Sequence, residues 1–207
     1  GRRVEWFSDT DVMYIVHEGV EARIGGVDTN KNTYPLEGLG EGGPIWSSLS
    51  IPSKTGGGVL LASTPEHPTE VYRVKNGSTV AERLTYSNPW LDDVEFAKQE
   101  IVRYEARDGL EIEGLLVYPL DYEPGERYPL ILAVHGGPEA HYSNGWLTRY
   151  SLPAQPAAAK GYFMFFQNYR GSTGRGVEFS MLGQGRYARE EFDDLVDGAD
   201  HLIELGM

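Results

Sequence analysis

His135-Gly136-Gly137-Pro138 directly follows the apolar run 130–134, Leu-Ile-Leu-Ala-Val. Two glycines at the end of a buried strand let the main chain approach another group and leave its N–H donors unscreened. Donors held in this way suit the stabilisation of the negative charge that grows on a carbonyl oxygen under nucleophilic attack. The nucleophile that such a turn would serve does not appear. No serine has glycine both two positions before and two positions after it; Ser172 comes nearest, in Arg170-Gly171-Ser172-Thr173-Gly174, where arginine takes the first place. Half of an acyl-transfer site is therefore expected, with oxyanion donors from Gly136 or Gly137 and no member of a catalytic triad. For His135 the expectation is structural, a buried ring satisfying a nearby carbonyl, because a catalytic base needs a nucleophile within hydrogen-bond reach.

A second polar stretch, 168–174 (Asn-Tyr-Arg-Gly-Ser-Thr-Gly), follows the apolar run 162–166. It reads as an anion-binding nest or as a loop kept in shape by Arg170 and its glycines. The loop is expected, since no helix start with a lysine follows as a phosphate loop requires. At the carboxyl end of a strand, Asn168, Tyr169 and Arg170 would join His135 and Pro138 on the rim of the site. The acids Glu190, Glu191, Asp193 and Asp194 are expected to face solvent or to favour the N-terminal half of a helix, not to hold a metal. His17, His67, His141 and His201 show no ligand spacing, and neither metal nor cofactor is expected. The match of Gly38-x-Gly40-x-x-Gly43 to a dinucleotide fingerprint is discounted, because Pro44-Ile45-Trp46 stands where a helix should begin.

The elements that must position these groups change character near residue 95. Before it, β-rich runs at 12–17, 22–27, 58–63, 70–74 and 80–84 are separated by turn residues, with Asn76-Gly77 the strongest hairpin signal and no helical period. Such spacing predicts antiparallel strands of a sandwich or propeller. Asn76-Gly77-Ser78 is also a glycosylation sequon, for which the turn reading is preferred. After residue 95, strands at 100–105 and 110–118 flank Asp108-Gly109, and 130–134 reads as an inner strand covered on both faces. A short helix is expected around 157–160, or begun at Pro153, then a strand at 162–166. The helix 187–206 would gather Phe192, Leu195, Val196, Ala199, Leu202 and Ile203 on one face and Asp193, Asp194, Asp197 and Asp200 on the other. Alternating strands and helices imply a parallel sheet with crossover connections.

Composition narrows the classes. The chain has 207 residues, a formal charge of −13 and no cysteine, which excludes disulfides, thiolate metal sites and a cysteine nucleophile. The acidity argues against nucleic-acid binding, which needs a basic surface. No apolar run approaches the roughly 20 residues of a membrane-spanning helix. The first residue is Gly1, not Met, so the true N-terminus is expected to be missing and the compartment stays open, with a cytoplasmic setting slightly favoured.

Three motifs then act together: His-Gly-Gly-Pro at 135–138, Asn-Tyr-Arg-Gly-Ser-Thr-Gly at 168–174, and Gly-Gln-Gly-x5-Glu-x-Asp-Asp from 183 to 194. In this order and spacing the sequence resembles the catalytic domain of the prolyl oligopeptidase family of serine peptidases, in the branch of acylaminoacyl-peptidases and dipeptidyl peptidases. Leu60 to Tyr72, with Arg83-Leu84-Thr85 and Asn88, resembles the last blade of that family's propeller. The resemblance implies the C-terminal part of a β-propeller over residues 1–95 and the N-terminal half of an α/β-hydrolase catalytic domain over 96–207. It implies peptide substrates, an acyl-enzyme, and a triad beyond Met207, so that this chain alone is expected to be inactive. The alternatives are a carboxylesterase and a non-catalytic interaction module. Exopeptidase or endopeptidase action and the oligomeric state stay open.

Overall fold

The computed structural model describes residues 4–36, 39, 42–51, 57–75, 80–137, 139–185 and 188–207. The expectations at Gly38, Gly40, the 76–78 turn and sequon, Pro138 and Tyr187 fall outside these residues. The chain divides into two compact units, Gly1–Val94 with Asn144–Trp146, and Glu95–Ser143 with Leu147–Met207.

Two antiparallel meanders make up the first unit. One runs β1 (Val4–Trp6), β2 (Asp11–Glu18), β3 (Glu21–Asp28) and β4 (Thr33–Pro35) in sequence order. The other runs β5 (Ile45–Ser50), β6 (Gly58–Thr64), β7 (His67–Val74) and β8 (Ala81–Arg83). Period-2 alternation sends Leu60 and Ala62 inward while Val59 and Leu61 face out. Residues of both sheets, among them Ile15, Ile24, Trp46, Leu49, Leu60 and Tyr72, share one core. Trp46 is fully buried, donates its indole N–H to the Leu39 carbonyl at 3.1 Å and meets Tyr72 edge to face at 5.6 Å. The residues following β8 are fastened by buried Glu70, whose carboxylate accepts from the Thr85 hydroxyl, from Ser87 N at 2.7 Å and Oγ at 3.1 Å, and from Arg83 at 3.3 Å. Burial pushes the Glu70 carboxyl up, but the donors from Thr85 and Ser87 outweigh it and hold the group below its ordinary value.

The second unit is built on a mixed sheet ordered β11-β12-β10-β9, from β9 (Gln99–Glu105), β10 (Glu111–Val117), β11 (Leu130–Ala133) and β12 (Phe163–Asn168). β9 and β10 form an antiparallel hairpin, β10 runs antiparallel to β12, and β11 lies parallel to β12. The helix α1 (Ala154–Ala158) sits on the connection from β11 to β12. A parallel pair requires such a crossover. After β12 come α2 (Gly176–Met181), which no sequence pattern predicts, and α3 (Glu190–Glu204).

β12 has all six residues buried, and among the described residues β11 pairs with β12, with Ile131 38% and Val134 53% exposed. One expectation is corrected. On α3 the buried arc is Asp194, Leu195, Gly198 and Leu202, while Phe192 and Ile203 face outward. The cause is Gly198: a Cβ there would lie 2.0 Å from Gln167 Nε2 and 2.7 Å from the Tyr104 ring. The helix is rotated to press this bare position against the sheet, so Asp194 turns inward rather than toward solvent, and Phe192 swings out.

Candidate active site

Both β11 and β12 deliver their carboxyl ends to one edge of the second unit, because they run parallel. The loop after β12 is fixed from within by Arg170. Its backbone N–H donates to Asp194 at 2.9 Å, and its guanidinium reaches Asp194 at 2.7 Å and Asp108 at 2.8 Å. Asp194 is wholly buried and the Arg170 side chain nearly so. A buried pair of this kind holds only when its oxygens are well furnished with donors. Here Asp194 takes donors on both carboxylate oxygens. Hydrogen bonds donated to Asp194 first, then to Asp108, raise the Arg170 guanidinium above its ordinary value, and Arg170 in turn lowers the Asp108 carboxyl. Asp108 lies in the turn between β9 and β10, so one arginine ties that turn, α3 and the loop together.

Tyr169 stacks on the His135 ring at 4.5 Å between centroids and 15° between planes, and its hydroxyl donates to the His135 carbonyl. Ser172 is buried; its hydroxyl donates to the Tyr169 carbonyl at 2.6 Å. Its oxygen also lies 2.9 Å from His135 Nε2, while His135 Nδ1 lies 3.3 Å from the Gly136 carbonyl. Burial keeps the imidazole pKa below the ordinary histidine value, with the Gly136 carbonyl acting in the opposite direction. A serine whose proton points at a backbone carbonyl is arranged differently from a nucleophile whose proton points at its base. Tyr142 meets His135 edge-on at 5.3 Å, and the Asn168 amide clamps Tyr142 by accepting from its N–H at 2.7 Å and donating to its carbonyl at 2.9 Å. His141 and the Thr173 hydroxyl are paired at 2.7 Å, and Thr173 N–H donates to the Ala140 carbonyl at 3.0 Å.

Between these supports the turn residues Gly136 and Gly137 are exposed. Gly137 has φ 138°, and a Cβ there would come within 2.7 Å of Glu139 N. At Gly136 a Cβ would meet nothing within 4 Å, so main-chain atoms of the turn stand open to an incoming group. An open groove of about 370 Å³ adjoins them, lined by Val134, Gly137, Tyr169, Ala188, Glu191, Phe192 and Leu195. Among the described residues no three His, Asp or Glu side chains converge as metal ligands would.

His135, Gly136, Gly137, Asn168 and Tyr169 thus come together at the ends of the parallel pair. Arg170 does not face the groove: it points inward to Asp194. Asn168 is likewise buried and spent on the Tyr142 backbone. Sequence reasoning missed Tyr142, the Ser172–His135 pair, and Asp108 and Asp194 as partners of Arg170. The signal available was the arginine itself, which needs counter-charges when it follows a buried strand.

Residues 148–207 match the model of the "Prolyl oligopeptidase family". The "Uncharacterized peptidase YuxL" of Bacillus subtilis is 31% identical over 146 residues, 70% of this chain and 22% of that protein. The "Dipeptidyl aminopeptidase BIII" of Pseudoxanthomonas mexicana is 30% identical over 178 residues, 83% of this chain and 25% of that protein. Among solved structures, the acylaminoacyl peptidase of Pyrococcus horikoshii has a similar fold, with a TM-score of 0.78 at 23% identity over 96% of this chain and 30% of that one. The chain spans about a quarter of the length of the curated relatives it matches. Together with the motifs at 135–138 and 168–174, these likenesses lead to one assignment: the chain belongs to the prolyl oligopeptidase family.

Proposed function

We propose that the whole protein is a serine peptidase that hydrolyses short peptides through an acyl-enzyme, and that this chain supplies its oxyanion side. In this reading residues 1–95 are the C-terminal part of a β-propeller and residues 96–207 the N-terminal half of an α/β-hydrolase domain. The observation that carries it is the exposed Gly136-Gly137 turn at the end of β11, parallel to β12 and beside an open groove. The names of the relatives, a peptidase and a dipeptidyl aminopeptidase, support the reaction class.

The mechanism assigns the chain a limited part. The serine, its histidine and its acid lie outside these 207 residues. As the serine attacks the scissile carbonyl, its oxygen gains charge and moves toward an N–H of Gly136 or Gly137. That contact strengthens in the transition state and so lowers the barrier. His135, stacked on Tyr169 and beside Ser172, braces the turn and takes no proton from substrate.

The test is turnover of dipeptidyl p-nitroanilides by the full-length protein and its Gly137→Ala variant. The methyl group collides with backbone, so the donor geometry shifts; kcat is expected to fall by roughly 100-fold or more, with KM changed far less. Unchanged kcat would remove the turn from the chemistry, and a full-length wild type without activity would remove the peptidase reading.

A further inference from the structure

The hydroxyl of Tyr169 makes a contact that the reaction as described does not use. We propose that Tyr169 is a positioning residue which, by donating to the His135 carbonyl, sets the peptide plane from which the oxyanion donors of the turn project. The proposal rests on the reading of Gly136 and Gly137 as oxyanion donors.

The His135 carbonyl and the Gly136 N–H belong to one peptide, and in a planar trans peptide they point in opposite directions. Drawing the carbonyl onto the Tyr169 hydroxyl therefore aims the Gly136 N–H away from the ring, and fixes the first plane on which Gly137 hangs. The same bond polarises the peptide, and a peptide whose oxygen accepts a hydrogen bond is a better donor at nitrogen. Glycines left to themselves would not keep this orientation, since their backbone is the least restricted of all.

Tyr169 is itself held on every side. Its ring is stacked on His135 and 5% exposed, its carbonyl accepts from Ser172, and the next residue is fixed to buried Asp194 through both backbone and guanidinium. Burial also keeps the phenol above its ordinary pKa, so the proton needed for donation is retained. The order is thus transmitted from the Arg170–Asp194 pair, through Tyr169, to a turn that has no side chains of its own to anchor it.

The experiment compares wild type with Tyr169→Phe in the full-length protein, which keeps the ring and the stack and removes only the donor. The expected result is a kcat lowered by roughly 10- to 100-fold, less than complete loss of an oxyanion donor, with KM within about twofold. A peptide aldehyde, whose adduct with the serine carries the oxyanion, should weaken by the same factor as kcat/KM, while a dipeptide product binds as before and the melting temperature is retained. Incorporation of 4-aminophenylalanine at position 169 restores a donor and should recover activity. A Tyr169→Phe variant with wild-type kcat overturns the proposal alone. Equal losses in aldehyde and product binding overturn it too, because they mark general damage to the site. A wild type without hydrolase activity overturns the peptidase reading on which it rests, and the proposal with it.

Discussion

At the scale of residues, His135 illustrates how a side chain with catalytic chemistry is committed to structure. Its ring is stacked on Tyr169, lies 2.9 Å from the buried Ser172 hydroxyl, and has its pKa lowered by burial. The folded pKa lies below the unfolded value of about 6.5, so between the two the unfolded chain binds the proton first. The stability that His135 contributes is therefore complete above about pH 6.5 and is lost as pH falls through the folded value. Melting temperatures of wild type and His135→Gln between pH 7.5 and 5.5 check this: the wild type should lose stability more steeply. Parallel slopes would contradict it. Asp108 and Asp197, lowered by hydrogen bonds from Arg170 and Arg107, titrate below this window. The structural role of His135 could be reasoned from the sequence, since no nucleophile stood nearby. Its partner Ser172, 37 residues on, could not.

At the scale of elements, the loop after β12 and the helix α3 are joined by one buried ion pair, and its strength is a property of that junction. Removing one partner leaves the other charge buried without compensation, which costs about 3–5 kcal/mol. Asp194→Ala should be destabilised by that amount in urea unfolding, whereas Asp193→Ala, whose partner Arg107 is exposed, should lose little. Equal effects would show that the pair is not what holds the loop. The strands were largely legible: the hairpin of β9 and β10 follows from Asp108-Gly109 between two β-rich runs, and β12 from five consecutive apolar residues. The face of α3 was legible in part. Its apolar periodicity named Leu195 and Leu202, which are buried, but also Phe192 and Ile203, which are exposed. Periodicity ranks positions by hydrophobicity, and the close approach at Gly198, where a Cβ would meet Gln167 and Tyr104, carries no such signal.

At the scale of the whole molecule, the proposed function gives the chain supports and donors for a reaction whose attacking group it does not supply. The motifs are what suggest this division: the His-Gly-Gly turn is present, and no serine has both flanking glycines of a nucleophile turn. Arg170 as a support of the loop was readable, but its partners Asp108 and Asp194 and the Tyr169 contact were not, since they depend on pairings across elements. The proposed function requires this turn to serve a serine located elsewhere in the full-length protein. The most direct measurement is intact mass and peptide mapping after reaction of that protein with a fluorophosphonate, which is attacked only by an activated serine. The account predicts a single adduct on a serine outside these 207 residues, with none on the 207-residue chain treated alone. No adduct on the full-length protein, or an adduct on Ser172 or another serine within this chain, would contradict it.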